Sequence, residues 1–219
     1  MASENVYDWI EKHVKYVKGN VLEVGSRRYK EHAFLNLREL SEKQPKIKGF
    51  LGCDISAGEN VDIITDLAQP FDEISESFGH QKFDTIFCIS VLEHIPDIFS
   101  ASKNITILLK PGGAVFISVP FVFRYHGYPG DLWRFTPEAI QFLFPEIDFR
   151  DYKYSSVSTL EHGDTMSLSN SRLDKLNRFL FRPKSRENKL ERKKAKSEGS
   201  NIEPYSLAPA MINMLGFKR

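Results

Sequence analysis

Over its first 120 residues the chain alternates between two hydrophobic periods. Val6, Trp9, Ile10, His13, Val14 and Val17 recur near every 3.6 residues, which predicts an amphipathic helix stopped by Gly19-Asn20. Val21-Leu22-Glu23-Val24 then forms a short apolar run ending at Gly25, the pattern of a strand. Helical spacing returns over residues 31–42, where Ala33, Phe34, Leu37 and Leu40 supply an inner face. Lys48–Ile55 and Val61–Ile64 read as a second and a third strand, and Pro70 opens a helix over residues 70–78. Phe83–Ser90 is a fourth strand, almost continuously apolar, as expected of a parallel strand covered on both faces. A helix over Ile98–Leu109 is broken by Lys110-Pro111-Gly112-Gly113, and Ala114–Pro120 is a fifth strand. Strands alternating with helices predict βαβ units and a parallel sheet with right-handed crossovers.

Past Pro120 the period is lost. Residues 121–135 are aromatic and punctuated by Gly and Pro, which predicts a long ordered loop. Thr136-Pro137 caps a helix to about Phe144. Phe149–Val157 reads as a sixth strand and Leu207–Phe217 as a last one, with Pro209 and Gly216 against it. The expected organisation is one domain over 1–219. It comprises an N-terminal helix (1–19), a core (20–120), the loop (121–135) and a basic helical or disordered insertion (182–200).

Composition narrows the class. A chain of 219 residues that is 41% hydrophobic and 27% charged is ordinary for a globular domain. Cys53 and Cys88 both sit in strand-like runs, and two thiols make no disulfide framework, so a reducing, cytoplasmic compartment is expected. The first 20 residues are charged throughout, unlike a signal peptide, and no apolar run is long enough to span a bilayer. Residues 182–196 hold eight basic and two acidic side chains and residues 197–219 balance. The net charge of +1 therefore leaves about −5 on the first 181. That balance argues against a nucleic-acid partner, and the basic run reads first as solvated surface.

Chemistry concentrates where strands end. A strand running into Gly25 is where open α/β sheets bind nucleotides. Ser26, Arg27 and Arg28 follow instead of the glycines of a pyrophosphate loop, which excludes a dinucleotide fingerprint. S-adenosyl-L-methionine has no phosphate; it needs anchors for an ammonium and carboxylate, an acceptor for ribose hydroxyls and a slot for adenine. Asp54, ending the second strand beside Ile55, is placed for the ribose diol. Asp66-Leu67 suit the adenine edge and face, and Ser90 lies near the methionine moiety. Glu23, a carboxylate within a strand, must be paired, either to the Gly25 loop or to the cofactor ammonium. Each also has a structural role open to it: a turn cap for Asp54 and Asp66, an internal pairing for Glu23, strand-end packing for Ser90.

The ordered segments VLEVGS, GCDIS, IITDL, FDTIFCISVLEHIPD and LKPGGAVFISVP resemble the class I S-adenosylmethionine-dependent methyltransferase family, more narrowly its type 11 group. The resemblance implies a Rossmann-like, doubly wound, mostly parallel seven-stranded sheet with helices on both faces. It places Glu23, Gly25, Ser26 and Arg27 on the first motif, Asp54 on the ribose acid, Asp66 on the adenine-side acid and Ser90–His94 on the fourth motif. Arg27 and Tyr29 stand where the family has further glycines. The same group frequently carries Tyr-Pro-x-Asp-x-Trp-Arg-Phe segments like the one in this loop, which marks 121–135 as the acceptor side.

An alcohol or phenol acceptor must lose a proton, for which His94, His126 and Asp131 are the candidates. His94 alternatively sits in a first helical turn, and Asp131 alternatively pairs with Arg134. The fourth motif lacks the Asp/Asn-Pro-Pro-aromatic of base-modifying enzymes, which favours O-methylation of a small hydroxylated acceptor such as a saccharide or phenol. A catalytically silent module and a nucleic-acid or protein methyltransferase are the competing readings. No metal ligand set is assigned from the sequence.

Overall fold

Trp9 shows why the first helix forms where it does. In α1 (Glu4–Lys12) the spacing of Val6, Trp9 and Ile10 buries all three on one face. The Trp9 ring meets Phe116 edge-on at 5.7 Å between centroids, and its Nε1 donates to the Tyr154 carbonyl at 2.9 Å. A 3-10 turn at Val14–Tyr16 leads into β1 (Gly19–Val24). The computed structural model describes residues 4–28, 36–127, 129–159, 165–168 and 210–219. The basic segment 182–200, residues 31–35 of the second predicted helix and residues 207–209 of the last predicted strand lie outside them.

The elements follow the hydrophobic pattern closely. Asn36 caps α2 (Leu37–Glu42) by accepting from the Glu39 N–H. Next come β2 (Ile47–Asp54), β3 (Ile63–Ile64), α3 (Phe71–Ser77) and β4 (Phe83–Ile89). Asp97 caps α4 (Ile98–Leu108) through the Ser100 N–H, and β5 (Leu109–Val122) follows directly. Thr136 caps α5 (Pro137–Leu143) through the Ala139 N–H, with Pro137 in the first turn. The short β6 (Ile147–Asp148), β7 (Ser156–Thr159) and β8 (Thr165–Ser167) precede β9 (Ala210–Lys218).

The nine strands among the described residues share one sheet, in the order β3-β2-β1-β4-β5-β9-β7-β8, with β6 paired to β9. The pairs from β3 to β5 are parallel, and β9 runs antiparallel to both β5 and β7. Alternate residues feed two cores. Val21, Phe87, Phe116 and Leu215 pack with Val6, Trp9 and Ile10 of α1 and with Leu37 and Leu40 of α2. Leu22, Cys88, Ile117 and Met214 pack instead with Ile74, Ile98, Ile105 and Ile140 of α3, α4 and α5. Helices therefore cover both faces, as expected of a doubly wound sheet.

Two boundaries differ from the sequence expectation. Strand structure is absent from residues 149–155, because Arg150, Asp151 and Tyr152 all adopt positive φ. The Asp148 Oδ1 accepts the Arg150 N–H at 2.8 Å, so a local side chain captures an amide that a ladder would have used. Lys110-Pro111-Gly112-Gly113 ends α4 but does not leave the sheet. Leu109 pairs with Phe83 and Ala114 with Thr85, so the intervening residues bulge out with Gly112 at φ +71°. The sheet also gains short strands, reaching nine rather than seven.

A buried polar rung crosses the middle of the sheet. Ser118 Oγ donates to Asn213 Oδ1 at 2.8 Å, and Asn213 Nδ2 donates to Ser156 Oγ at 3.2 Å and Ser158 Oγ at 3.0 Å. All four side chains are buried.

Candidate active site

β1 is flanked by β2 on one side and β4 on the other, so the carboxyl ends of these strands frame the switch point of the sheet. Gly25 leaves β1 at φ +70°, and a Cβ there would stand 2.3 Å from Val91 Cγ2. Both the conformation and the close approach demand glycine. The N–H groups of Gly25 and Ser26 converge on the Cys53 carbonyl at 2.8 and 3.0 Å, fastening the turn to β2.

Asn60 organises the space beneath this turn. Its Nδ2 donates to Glu23 Oε2 at 2.9 Å and to the Ser26 carbonyl at 3.1 Å, while Ser26 Oγ donates to the Asn60 carbonyl at 3.0 Å. Arg38 Nε donates to Asn60 Oδ1 at 2.7 Å, and Arg38 also pairs with Asp62. Burial pushes the Glu23 carboxyl up to about 7, against the opposing pull of the Asn60 amide and the Arg28 and Arg38 charges. Asn60 and Arg38 escaped the sequence reading; they meet Glu23 only across the fold.

Asp54 ties the first two loops together. Its Oδ2 accepts the Arg27 N–H at 3.3 Å and its Oδ1 the Ser56 N–H at 3.0 Å. The Arg27 side chain lies along Gly58, whose hypothetical Cβ would be 2.7 Å from Arg27 Cγ, and Ile55 is 61% exposed. Asp66 accepts the Ala68 N–H at 2.9 Å, capping its own turn, and Leu67 is buried in the core. Ser90, at the end of β4, has φ +55° and a buried Oγ with no hydrogen-bond partner, while its N–H donates to the Ser118 carbonyl at 2.8 Å. A strained residue with an unsatisfied hydroxyl suits a ligand-binding position. An open cleft of about 470 Å³ lies between α2 and the loop after β2, lined by Arg28, Arg38, Glu59, Asn60 and others; none of the sequence-predicted residues lines it.

The loop after β5 folds back over β4. Leu132 N–H donates to the Glu93 carbonyl at 2.9 Å, Trp133 Nε1 to the Ile95 carbonyl at 2.9 Å and Phe135 N–H to the Pro120 carbonyl at 3.0 Å. Arg134 grips Asp131 with both terminal nitrogens and also donates to the Trp133, Phe123 and Arg124 carbonyls. The guanidinium and the His126 N–H hold the buried Asp131 carboxyl well below the usual carboxylate range. Asp131 is thus committed to holding the loop.

His94 and His126 face one another edge-on, 5.1 Å between ring centroids. His94 Nδ1 donates to the Gly130 carbonyl, which fixes its tautomer and leaves Nε2 with a lone pair. Burial pulls the His94 pKa down. His126 Nδ1 is 3.1 Å from Asp131 Oδ2 but out of line for a hydrogen bond, so both of its buried ring nitrogens lack hydrogen-bond partners. Glu93, with a carboxylate oxygen within 4.8 Å of a ring nitrogen of each histidine, is 1% exposed, and burial pushes its carboxyl up to about 7. Its Oε2 has no partner. The SVLEHIPD segment named Glu93 as part of a motif, but its burial could not be read from a one-turn 3-10 element.

These side chains fit an S-adenosylmethionine site. Glu23 offers a carboxylate for an ammonium, Asp54 keeps lone pairs for a diol, and Ser90 offers an unspent hydroxyl. Residues 6–164, more than half of the chain, match a family model described as a methyltransferase domain. Among solved structures, a SAM-dependent methyltransferase from Archaeoglobus fulgidus is 16% identical with a TM-score of 0.54, covering 99% of this chain and 95% of that one. The MccD protein is 14% identical with a TM-score of 0.55, covering 100% and 97%. The N-methyltransferase NodS from Bradyrhizobium japonicum, in complex with S-adenosyl-L-homocysteine, is 12% identical with a TM-score of 0.51, covering 98% and 86%. A stretch of 38 residues is 50% identical to the ubiquinone biosynthesis O-methyltransferase of Coxiella burnetii, spanning 17% of this chain and 16% of that enzyme's length. No helix among the described residues is long and apolar enough to cross a membrane. The chain belongs to the methyltransferase-domain family, and its fold is that of solved S-adenosylmethionine-dependent methyltransferases.

Proposed function

We propose that this methyltransferase acts on an oxygen of a small hydroxylated acceptor, a saccharide or a phenol-like ring. The observation that carries this reading is the facing pair His94 and His126, in which His94 Nδ1 is held by the Gly130 carbonyl and both His126 ring nitrogens lack hydrogen-bond partners, beside the strand end that carries Ser90. An N-methyl acceptor presents its own lone pair; an alcohol or phenol needs a proton acceptor, and imidazole is suited to that near neutral pH. The short likeness to a ubiquinone biosynthesis O-methyltransferase points the same way.

Bound S-adenosylmethionine supplies a methyl group already activated by a sulfonium. The chain's own residues align it. Glu23 would hold the ammonium, Gly25, Ser26 and Arg27 would shape the turn beside the methionine moiety, and Ser90 would close that end. Asp54 would accept the ribose hydroxyls beside the exposed Ile55, and Asp66 would meet the adenine edge, with Leu67 in the core beneath it. His94 Nε2 takes the acceptor's hydroxyl proton, its ring held by Gly130, while Asp131 positions the loop that carries His126. Alignment of this kind supplies on the order of 7–11 kcal/mol of a displacement barrier.

Calorimetric titration with S-adenosylhomocysteine, followed by a methylation screen of hydroxylated acceptors, tests the reading. The parent binds the nucleoside, and Asp54→Asn weakens it about tenfold or more while preserving the bulk of the side chain. An unchanged affinity in Asp54→Asn removes the ribose assignment. Tight binding with no oxygen acceptor in the screen favours a silent module, and transfer to RNA favours a nucleic-acid enzyme.

A further inference from the structure

We propose that Glu93, His94 and His126 form a binding site for a divalent first-row transition ion that holds the acceptor's oxygen. The ion's role rests on the O-methylation reading; its binding does not. One ligand atom from each of the three residues lies within 4.8 Å of the other two. Backbone and loop hydrogen bonds bring the three residues together but leave Glu93 Oε2 and both His126 ring nitrogens without partners. Glu93 Oε2 is buried without a partner, and no ion pair to Glu93 exists among the described residues. The nearby cation, Arg134, is committed to Asp131 and three backbone carbonyls. A buried carboxylate left in that state is costly, and a cation is the group that relieves it.

The surroundings of the two rings fit ligation as well. A metal-bound histidine normally has its second nitrogen oriented by a carbonyl or carboxylate. The Gly130 carbonyl does this for His94 Nδ1, and Asp131 Oδ2 stands 3.1 Å from His126 Nδ1. Each Nε2 is left for the ion. Two imidazoles and one carboxylate suit zinc, cobalt, iron or nickel better than magnesium or calcium, which prefer oxygen donors. Three protein ligands leave positions open for a hydroxyl. Metal–ligand bonds of about 2.0–2.2 Å require the three atoms to draw closer, and His126, carried on a loop, is the ligand able to move.

With the ion in place, His94 Nε2 is a ligand instead of the base it would be in the metal-free site, and the acceptor loses its proton to water, because coordination lowers the pKa of a bound hydroxyl. The acceptor oxygen forms its bond to the methyl carbon as the carbon–sulfur bond breaks, and the electron pair of that bond stays on sulfur.

The test is a cobalt titration of the full-length, chelator-treated protein, read by visible d–d absorption, with S-adenosylhomocysteine affinity measured by calorimetry on the same samples. One equivalent of cobalt is expected to develop the band. Glu93→Gln and His126→Asn should each weaken cobalt at least tenfold with nucleoside affinity retained, while His80→Asn, on an exposed turn, should match the parent. His126→Asn carries the test if Glu93→Gln does not fold. The absence of a saturable band, or equal cobalt affinity in His126→Asn, overturns the site. A cobalt band without nucleoside binding keeps the site and removes the methyltransferase role from it; nucleoside binding without a band does the reverse.

Discussion

In the proposed site, Glu23 would couple cofactor recognition to stability through a single proton. Its carboxyl titrates at about 7 in the folded protein against 4.5 as the ordinary value, because the folded site desolvates it. A raised pKa means the native state binds the extra proton. The stabilising contribution is full below about pH 4.5 and is lost as pH rises through about 7. At 1.36 kcal/mol per unit this amounts to at most about 3 kcal/mol. Glu23→Gln keeps an acceptor for Asn60 and removes the charge. It should melt above the parent at pH 8, converge with it near pH 4.5, and bind S-adenosylhomocysteine about tenfold more weakly. Melting curves that shift in parallel at every pH would contradict the assignment. Gly25 makes a second residue-scale prediction. Gly25→Ala combines a left-handed backbone, roughly 1–2 kcal/mol for a non-glycine, with the 2.3 Å clash on Val91. Val91→Ala in the same chain should restore part of the lost stability, read by chemical denaturation; no recovery would show that the backbone dominates.

Among the elements, the loop 121–135 is held by one forked ion pair and several backbone bonds. Arg134→Lys keeps the charge but loses the fork and most carbonyl contacts. We expect KM for the acceptor to rise several-fold while S-adenosylhomocysteine affinity stays constant; a change confined to the nucleoside would place the loop elsewhere. The strands and their ends were legible because each parallel strand is a run of apolar residues closed by a small or acidic one: Gly25, Asp54, Ser90. The helix caps Thr136 and Asp97 follow simple local chemistry. What the pattern could not show is contact between distant segments. Asn60 reaches Glu23 across 37 positions. The left-handed turn at 150–152 depends on one aspartate capturing one amide, which alternation of apolar residues conceals.

On the scale of the molecule, the parallel half of the sheet reads directly from sequence, whereas in the antiparallel half the last strand is legible but its place in the sheet is not. β9 inserts between β5 and β7, and its place is specified by the buried rung at Asn213. Asn213→Leu would strand three serine hydroxyls without their partner. The expected loss is about 2–4 kcal/mol in denaturant unfolding, from buried polar groups left unpaired; a loss under about 0.5 kcal/mol would mean the serines re-pair. The same insertion orders events during synthesis. Until residues 210–218 have been made, β5, whose Ser118 carbonyl anchors Ser90, offers an open ladder of amides and carbonyls. A nascent chain halted short of that point would carry the loops after β1, β2 and β4 complete in sequence yet hold a sticky, unsealed edge, the surface that chaperones engage and that aggregates grow from.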